Sequence, residues 1–400
     1  MVRFRWEADF KESEIGMFKT KGTAHYIFAH GVCGKIPKDW KVKRINEDYN
    51  VNTGERVSPT SEGPFPVYGA NGFSGYSNNF LIDKEAIITG RVGTLGQVYR
   101  VNGKSNISDN ALYITKKKEE AVIDFLYYAL KLIFDNIEEV LNVGTTQPLI
   151  KQSEVQKFSI PFPEYKEQFY VASVLSWIED LIENKKRQNE ILEEVAMAIF
   201  KNWFVDFEPF KDGEFVPSEL GEIPKGWEVT EFGKIVKFLY GEGLPERKRE
   251  EGPYPVVGSS GIIGYHSRYL APAPSIVLGR KGNVGSMYLM LEPSFPIDTV
   301  FYTSPKTPSE FVFYAYHYLK NTSLEEMASS HTAVPGLDIH TLNSLKLISP
   351  PKPIIQKFQS FVESLFQKIL LNQKEIMVLR KFRDFLLPLL VFGKLRVEEI

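Results

Sequence analysis

Two short glycine-rich segments each place an arginine between glycines, at corresponding points of the chain. They are Gly90-Arg91-Val92-Gly93 and Gly279-Arg280-Lys281-Gly282. Glycine allows a tight turn that can approach a groove closely, and a guanidinium can bond guanine through two parallel hydrogen bonds. Arg91, Arg280 and Lys281 are therefore candidate DNA contacts. A plain glycine-rich hairpin that carries a solvated arginine is the alternative interpretation.

A second pair of segments is polar and occupies equivalent positions further along each half. It consists of Gly144-Thr145-Thr146-Gln147 and Ser329-Ser330-His331-Thr332. Their hydroxyl and amide groups can bond phosphates or base edges, which makes Thr145, Thr146, Gln147, Ser330, His331 and Thr332 candidate DNA contacts. Helix capping or turn chemistry explains the same residues. Tyr68, Asn71 and Tyr265 lie in earlier glycine-rich loops and are also candidates, with core or turn roles as the alternative.

The sequence lacks the motifs of the common nucleotide- and cofactor-dependent enzymes. It contains no Gly-x-x-x-x-Gly-Lys-Ser/Thr loop, no Asn/Asp-Pro-Pro-Tyr/Phe segment and no Gly-x-Gly-x-x-Gly loop. Asp83 and Glu85 flank Lys84 in one half only, without an upstream Pro-Asp pair. His25 and His30 have no further ligand candidates beside them. We therefore expect no catalytic residue, no metal site and no cofactor.

Composition indicates a multidomain globular protein of a reducing compartment. Four hundred residues exceed one ordinary core, and 43% hydrophobic with 24% charged residues is typical of a globular chain. The single cysteine, Cys33, rules out an internal disulfide framework. Because no run of about 18 apolar residues occurs and Met1–Lys11 lacks a signal-peptide pattern, we expect a cytoplasmic protein without a membrane segment.

The charge balance limits how such a protein could hold DNA. The formal net charge is −2, whereas free-standing DNA-binding domains usually carry a basic excess that neutralises phosphates. A DNA reader with this balance should bind weakly alone. Partner subunits would then supply phosphate contacts.

The chain repeats itself at an almost constant spacing. Ile36-Pro37-Lys38-Asp39-Trp40 returns as Ile223-Pro224-Lys225-Gly226-Trp227, and Gly63-Pro64-Phe65-Pro66-Val67 returns as Gly252-Pro253-Tyr254-Pro255-Val256. The arginine segments keep the same spacing. Internal repeats of this kind indicate two copies of one structural unit.

Each repeat has a β-rich part followed by a long helix. Short Val, Ile, Tyr and Phe runs broken by Gly, Pro and Asn predict strands such as 85–89, 97–101, 111–115, 275–278 and 286–291, with one helix per copy near 119–134 and 309–319. Apolar residues three and four apart predict long helices over 164–204 and 354–387. In the first they are Val171, Val174, Ile178, Leu181, Leu192, Val195 and Ile199; in the second, Phe358, Leu365, Ile369, Ile376, Leu379 and Leu386.

The fold class that follows is α+β. Two repeated mixed, β-rich modules are separated by two long helices, which should form an antiparallel coiled coil with pseudo-twofold symmetry, because neither helix can bury its apolar stripe on its own module. A polar break interrupts both stripes, around Asn184–Gln188 and Asn372–Lys374. Asn184 and Asn372 either fix the register of the helices from a buried position or simply face solvent.

Several segments together resemble the specificity subunits of type I restriction-modification enzymes. They are Leu220-Gly221-Glu222-Ile223-Pro224-Lys225-Gly226-Trp227, the run from Phe200 to Pro209 that closes the first helix, and the ending Gly393-Lys394-Leu395-Arg396-Val397. The order of module, helix, module and helix also resembles that family. The resemblance covers nearly the whole chain.

The resemblance implies a non-catalytic subunit in which each module is a target recognition domain for one half of a split, asymmetric DNA sequence. It implies that the helices set the spacing between the halves and dock DNA adenine methyltransferase subunits, two of them, and that a helicase-nuclease subunit completes the complex. Double-stranded DNA is the ligand. A duplicated carbohydrate- or protein-binding scaffold, and a nuclease or methyltransferase with an unrecognised site, remain alternatives.

The expected domain boundaries follow the repeat. They are an N-terminal segment 1–35, a first recognition domain 36–163, a central helix 164–207, a linker 208–222, a second recognition domain 223–353, a C-terminal helix 354–390 and a tail 391–400. One departure from the repeat is visible. Phe10–Gly16 resembles Phe215–Gly221, but residues 17–34 then intervene before Ile36.

Overall fold

The structure is a computed structural model that describes residues 2–12, 17–20, 23–26, 35–92, 95–134, 149–324, 327 and 336–399. The chain forms two compact units. Unit 1 consists of Met1–Glu183 with Met377–Ile400, and unit 2 consists of Asn184–Ile376. Each unit therefore contains one β-rich module and a part of each long helix.

Within the described residues, the first half of the chain forms short strands, three shorter helices and one long helix. In order they are β1 (Val2–Trp6), β2 (Phe10–Glu12), β3 (Met17–Thr20), β4 (Thr23–Tyr26), β5 (Lys35–Pro37), β6 (Lys41–Arg44), α1 (Ile45–Asp48), β7 (Tyr49–Thr53), β8 (Phe65–Gly69), β9 (Gly72–Ser77), β10 (Ile82–Asp83), β11 (Ala86–Gly90), β12 (Val98–Val101), β13 (Lys104–Ile107), β14 (Ala111–Lys116), α2 (Ile123–Phe134), α3 (Gln152–Val155), β15 (Ser159–Phe162) and α4 (Tyr165–Phe204).

The module of unit 1 is built on two four-stranded sheets. One is antiparallel with the strand order β12-β11-β14-β7. The other has the order β10-β13-β8-β9 and contains one parallel pair, β13 with β8. Strand β11 is buried along its whole length, which explains why its sequence is a continuous apolar run and not an alternating one. Helix α2 contacts β11 and β12.

The second half repeats this series of elements. In order they are β16 (Phe215–Ser218), β17 (Gly221–Pro224), β18 (Glu228–Glu231), α5 (Phe232–Ile235), β19 (Phe238–Tyr240), β20 (Tyr254–Gly258), β21 (Gly261–His266), β22 (Ser275–Gly279), β23 (Met287–Met290), β24 (Phe295–Pro296), β25 (Val300–Thr303), α6 (Ser309–Lys320), α7 (Ile339–Asn343), β26 (Lys346–Ser349), α8 (Lys352–Val391) and β27 (Leu395–Glu399). Two short 3-10 helices, Glu208–Phe210 and Glu246–Lys248, lie among them.

Unit 2 has the topology of unit 1. The sheet β19-β25-β22-β23 corresponds to β7-β14-β11-β12, and β21-β20-β24 corresponds to β9-β8-β13. The β-bulge between Val67 and Tyr68 returns at the equivalent point of the repeat, between Val256 and Val257. The predicted duplication and the α+β class are confirmed, and the predicted strands and helices differ from the observed ones by a few residues at their ends.

The two long helices contact each other in both units, and in unit 2 they run in opposite directions. In unit 2, Phe204 of α4 contacts Phe358 of α8, and Asn189 contacts Asn372. The contacts therefore move toward the start of α8 as α4 proceeds. In unit 1, Glu179 of α4 lies 3.8 Å from Arg383 of α8. The expected antiparallel pairing is thus observed in unit 2, and in unit 1 the two helices are in contact.

The buried face of α4 differs from the predicted one at four positions. The prediction placed Val174, Leu181, Val195 and Ile199 in the seam, but Val195 is exposed and the other three are only half-buried. The buried residues are Val171, Ala172, Leu175, Ile178, Ile182, Ala196, Phe200 and Phe204. Apolar residues occur both three and four positions after a buried one, so spacing alone did not separate the seam from its edge. In α8 the predicted Phe358, Ile369, Ile376 and Leu386 are buried.

The extra N-terminal residues lie inside a hairpin that both repeats share. Strand β2 pairs with β5 so that Phe10 lies opposite Pro37, and β16 pairs with β17 so that Phe215 lies opposite Pro224. Strands β3 and β4 form their own antiparallel pair within the loop that joins β2 to β5. The insertion at 17–34 therefore lengthens a hairpin connection and leaves the shared pairing intact.

The two ends of the chain meet in unit 1. Strand β1 pairs with β27, and Arg396 donates hydrogen bonds to Glu167, Asp39 and Glu7. Although burial opposes its charge, the hydrogen bonds to Glu167 and Asp39 raise the pKa of Arg396 above its ordinary value. Within the described part of the chain, no helix has the length and apolar character needed to cross a membrane.

Candidate nucleic-acid interface

Arg280 stands directly after β22, at a corner where three chain segments meet. Its backbone N–H donates to Thr299 O at 3.0 Å, and its carbonyl accepts from Leu337 N at 3.1 Å. The guanidinium donates to Asp298 O at 2.9 Å and lies over the rings of Tyr240 and Phe301, at 4.8 and 5.5 Å from their centroids. The side chain therefore stabilises the turn that precedes β25.

Arg91 occupies the same corner in unit 1. Its N–H donates to Asn110 O and its carbonyl accepts from Ile150 N, both at 2.9 Å. The guanidinium donates to Asp109 O at 3.4 Å. Its Nε is buried, and no hydrogen-bond partner reaches it among the residues that the structure describes. Asp109 and Asn110 correspond to Asp298 and Thr299 in the repeat, so the two corners share one hydrogen-bond frame.

This geometry gives both arginines a structural role in their own modules. A guanidinium that donates to a backbone carbonyl has part of its donor set occupied, and stacking on two rings fixes the plane of Arg280. Lys281, in contrast, is exposed beside Arg280. Whether these residues also contact DNA stays a prediction.

The remaining described candidates separate into a packed one and two exposed ones. Tyr68 packs against Phe73 and against the cluster around Ile88. Asn71 is exposed in the two-residue turn between β8 and β9. Tyr265 is exposed on β21, and the equivalent Tyr76 is exposed on β9. Thr145, Thr146, Gln147, Ser330, His331 and Thr332 lie outside the described residues.

The two asparagines that were predicted to fix the helix register are placed differently. Asn372 is fully buried and donates to Asn189 Oδ1 at 2.9 Å and to Gln188 Oε1 at 3.3 Å. Asn184 is exposed, and it accepts a hydrogen bond from Gln188 on its own helix. The structure therefore brings Asn372 together with Asn189 and Gln188.

One polar position in each module was not singled out from the sequence. The loop after β9 exposes Asn79, and the loop after β21 exposes Arg268 at the equivalent position of the repeat. The constant spacing of the repeat is the signal that identifies them, because it aligns two loops whose side chains differ. Among the described residues, no cluster of three or more His, Cys, Asp or Glu side chains could hold a metal ion.

Comparison with known proteins identifies the family. The family model of the type I restriction modification DNA specificity domain matches the chain twice, over residues 37–194 and 224–381. The type I restriction enzyme MjaIX specificity subunit of Methanocaldococcus jannaschii is 35% identical, over 100% of this chain and 99% of that protein. The chain belongs to the type I DNA specificity-subunit family.

More distant members and one solved structure agree with this assignment. The HindI specificity subunit of Haemophilus influenzae is 26% identical over 62% of this chain and 72% of its own. The crystal structure of a type I restriction-modification S subunit from M. genitalium has a TM-score of 0.62 at 23% identity, and it covers 88% of this chain and 96% of that one. At this identity the structural likeness concerns the fold.

Proposed function

We propose that this member of the specificity-subunit family is the non-catalytic DNA-reading subunit of a type I restriction-modification complex. Each module recognises one half of a bipartite target in double-stranded DNA. The observation that supports this most directly is the duplicated module, which keeps one hydrogen-bond frame around Arg91 and Arg280 while its exposed loop residues differ. Two related readers with different surfaces require two different half-sites, so the target is asymmetric.

The boundaries of the recognition domains follow the repeat, at 36–163 and 223–353, with the long helices at 164–207 and 354–390. The candidate contacts are the exposed Lys281, Asn71 and Tyr265, with Arg91 and Arg280 at the braced corners. The polar segments at 145–147 and 330–332 remain candidate contacts from their sequence alone. The complex acts on double-stranded DNA in the cytoplasm.

The long helices provide the docking surface for two DNA adenine methyltransferase subunits. In unit 1, Val378, Phe382 and Phe385 follow one another at helical spacings of four and three and are exposed. Trp177 of α4 is 63% exposed, and it lies at the level of Phe385 because Glu179 contacts Arg383. Apolar side chains this exposed on one helix face are typical of a surface that another helix covers.

Unit 2 presents a smaller version of the same stripe. Ile191 and Val195 are exposed and correspond to Val378 and Phe382, in the alignment of the repeat that also pairs the buried Val171 with Phe358. Two equivalent stripes in one chain support two copies of one partner. Methylation then comes from those partners, and cleavage comes from a helicase-nuclease subunit.

Expression with and without this chain tests the proposal. The methyltransferase subunits are expressed alone or with this chain in a host that lacks other adenine methylation, and methylated sites are mapped across the genome. We expect one asymmetric bipartite motif that appears only when this chain is present. Methylation of a motif without this chain, or by this chain alone with S-adenosylmethionine, would overturn it. Failure of the assembled complex to bind any duplex DNA would favour the scaffold alternative.

Paired helix deletions test the spacing role. Removing one heptad from each helix, around 184–190 and 371–377, keeps the apolar phase and shortens each helix by roughly 10 Å at 1.5 Å per residue. We expect the spacer in the methylated motif to change by about 3 base pairs, at roughly 3.4 Å each. An unchanged spacer with unchanged half-sites would contradict the role of the helices in spacing.

A further inference from the structure

The loops after β9 and β21 are equivalent segments of fixed length. Leu81 N donates to Ser105 O at 2.9 Å, and in the second repeat the equivalent Leu270 N donates to Ser294 O at the same distance. Residues 78–80 and 267–269 therefore lie between the same strand end and the same backbone hydrogen bond. The two modules hold these three residues in one frame.

Further contacts hold each loop in place. In unit 1, Asn79 O accepts from Ser77 Oγ at 2.5 Å and from Asn106 Nδ2 at 3.3 Å. In unit 2, Ser267 Oγ donates to Glu250 at 2.7 Å. The unit 1 bonds fix the backbone carbonyl of Asn79, and the unit 2 bond holds the side chain of Ser267, the residue before Arg268.

An aromatic pair anchors the third residue of each loop. Phe80 packs edge-on against Phe65, and the equivalent Tyr269 packs edge-on against Tyr254, each at a centroid distance of 5.1 Å. Lys104 lies over the Phe80 ring at 5.0 Å. The residue that precedes the anchor, Asn79 or Arg268, is therefore carried on a short, supported segment.

The side chains of Asn79 and Arg268 are exposed, and among the described residues neither has a hydrogen-bond or ion-pair partner. In this respect Arg268 differs from two other arginines of the same module. Arg280 donates to Asp298 O, and Arg249 donates to Ile263 O at 2.8 Å. Arg268 keeps its whole donor set available. A side chain with free polar groups on a fixed backbone suits base readout. The loop is already ordered in the free protein, so binding costs less conformational entropy.

We infer that Asn79 and Arg268 are base-reading residues, one in each module. The inference rests on the proposed function and names the positions that give the two half-sites different sequences. Arginine pairs with guanine through O6 and N7, and asparagine pairs with adenine through N6 and N7. Arg268 therefore reads a guanine in the half-site of the second module, and Asn79 reads an adenine in the half-site of the first. The exposed Tyr76 and Tyr265 lie three positions before them and contact the DNA backbone alongside.

The test uses the chain assembled with its methyltransferase subunits and a duplex library that is randomised in both half-sites. Arg268→Ala should lose roughly 5- to 150-fold of its preference for guanine at one position of one half-site, since a bidentate base contact gives about 1–3 kcal/mol of discrimination. Asn79→Ala should do the same for adenine in the other half-site only. Arg268→Lys keeps the charge but not the paired donors, so it should lose the guanine preference as well.

Arg247→Ala is the matched control. Arg247 is exposed in the 3-10 helix of the same module, so its replacement removes the same charge and should leave both half-sites unchanged. An Arg268→Ala complex with both preferences intact, or one that binds all sequences equally weakly, would overturn the inference. A wild-type complex without a bipartite motif would overturn the proposed function instead, so the two failures are distinguishable.

Discussion

The two units attach a module helix to the long helices by different chemistry. In unit 1 the contact of α2 and its sheet with α4 is centred on Glu179. Its carboxylate accepts from Tyr128 Oη at 2.9 Å, from Lys131 at 2.9 Å and from Arg100 at 3.0 Å. The Glu179 side chain is only 16% exposed. Burial raises the pKa of Tyr128 above its ordinary range, which keeps its hydroxyl a donor to this carboxylate.

In unit 2 the same position is aromatic. Phe200 of α4, with Phe358 and Phe366 of α8, packs around His317 of α6, and Phe204 of α4 packs against Phe358. His317 is almost fully buried, and its Nδ1 lies 2.7 Å from Phe313 O. Burial lowers the pKa of His317 to about 4. The ion pair that joins α6 to α4, Lys320 with Glu193, is partly exposed.

The difference shows that the duplicated fold keeps the position of the module helix more strictly than the type of contact that holds it. Both units must hold a 12-residue helix, Ile123–Phe134 or Ser309–Lys320, against a long one. One does so with the carboxylate of Glu179, which several donors share. Its contribution to stability falls when these hydrogen bonds are broken or when salt screens the charges. The other does so by burying apolar surface. This contribution does not depend on salt, but it falls when a buried side chain is shortened or a charge is introduced. Each unit should therefore fail under a different perturbation.

The largest effect is expected from Phe358→Ala in unit 2. Phe358 is fully buried and contacts Phe200, Trp203 and Phe204. Truncating a buried phenylalanine costs about 3–5 kcal/mol of unfolding free energy, and hydrogen exchange of α6 should accelerate accordingly while α2 stays protected. Phe361→Ala, one turn away and 48% exposed, is the control and should cost much less. Equal losses from both variants would contradict the aromatic core.

Acidification should destabilise unit 2 through His317. The pKa of this group is lower in the folded state, about 4, than its unfolded value of about 6.5. Below pH 6.5 the unfolded chain takes up the proton first, so stability is full above that pH and falls as pH drops toward 4. The difference corresponds to about 3 kcal/mol at most, at about 1.4 kcal/mol per pKa unit.

Denaturant unfolding of wild type and His317→Gln between pH 7.5 and 4 measures this term, because their difference cancels the carboxylates common to both. We expect the wild type to lose more stability than the variant over this range, and exchange in α6 to report it. Parallel pH profiles of the two proteins would show that His317 does not titrate as its burial predicts.

A smaller effect is expected from Glu179→Gln in unit 1. The amide keeps the shape but leaves Arg100, Lys131 and Arg383 without their shared charge. We expect a loss of about 1.5–3 kcal/mol, the range for hydrogen bonds to charged groups, and a weaker dependence of unfolding on salt. Glu193→Gln in unit 2 is the matched variant. Its pair with Lys320 is exposed to solvent, so it should cost below about 1 kcal/mol. The reverse order of the two losses would be inconsistent with the ionic attachment of unit 1.

The duplicated architecture was predictable because it depends on patterns that survive in one sequence. The spacing of Ile36 and Ile223, and the apolar residues three and four positions apart, were sufficient for the module order and for helix limits within a few residues. The helix seam was only partly predictable. Leu175 and Val174 are both apolar and adjacent, and only the packed partner decides which one is buried.

The contact residues were less predictable for a physical reason. An arginine between glycines has the same sequence pattern whether its guanidinium points to solvent or to a carbonyl, and Asp298 O reaches Arg280 from a turn 18 residues later in the chain. Asn79 and Arg268 have no local motif at all. The spacing of the repeat aligns their positions, and the hydrogen bonds that the two loops share then show that both side chains are exposed on equivalent segments.

The smallest energetic effect is expected at the buried asparagine in the helix seam of unit 2. Asn372→Leu replaces a buried amide whose Oδ1 has no hydrogen-bond partner among the described residues. The unfolding free energy should change by no more than about 1 kcal/mol, because an apolar group of similar size replaces a half-satisfied one. Register should change instead, since a polar residue in an apolar seam favours one alignment. Zero-length cross-linking should join Lys185 to Glu375 in the wild type, where they form an ion pair, and should join Lys185 to additional carboxylates in the variant. An identical cross-link map for both proteins would mean that Asn372 does not fix the register.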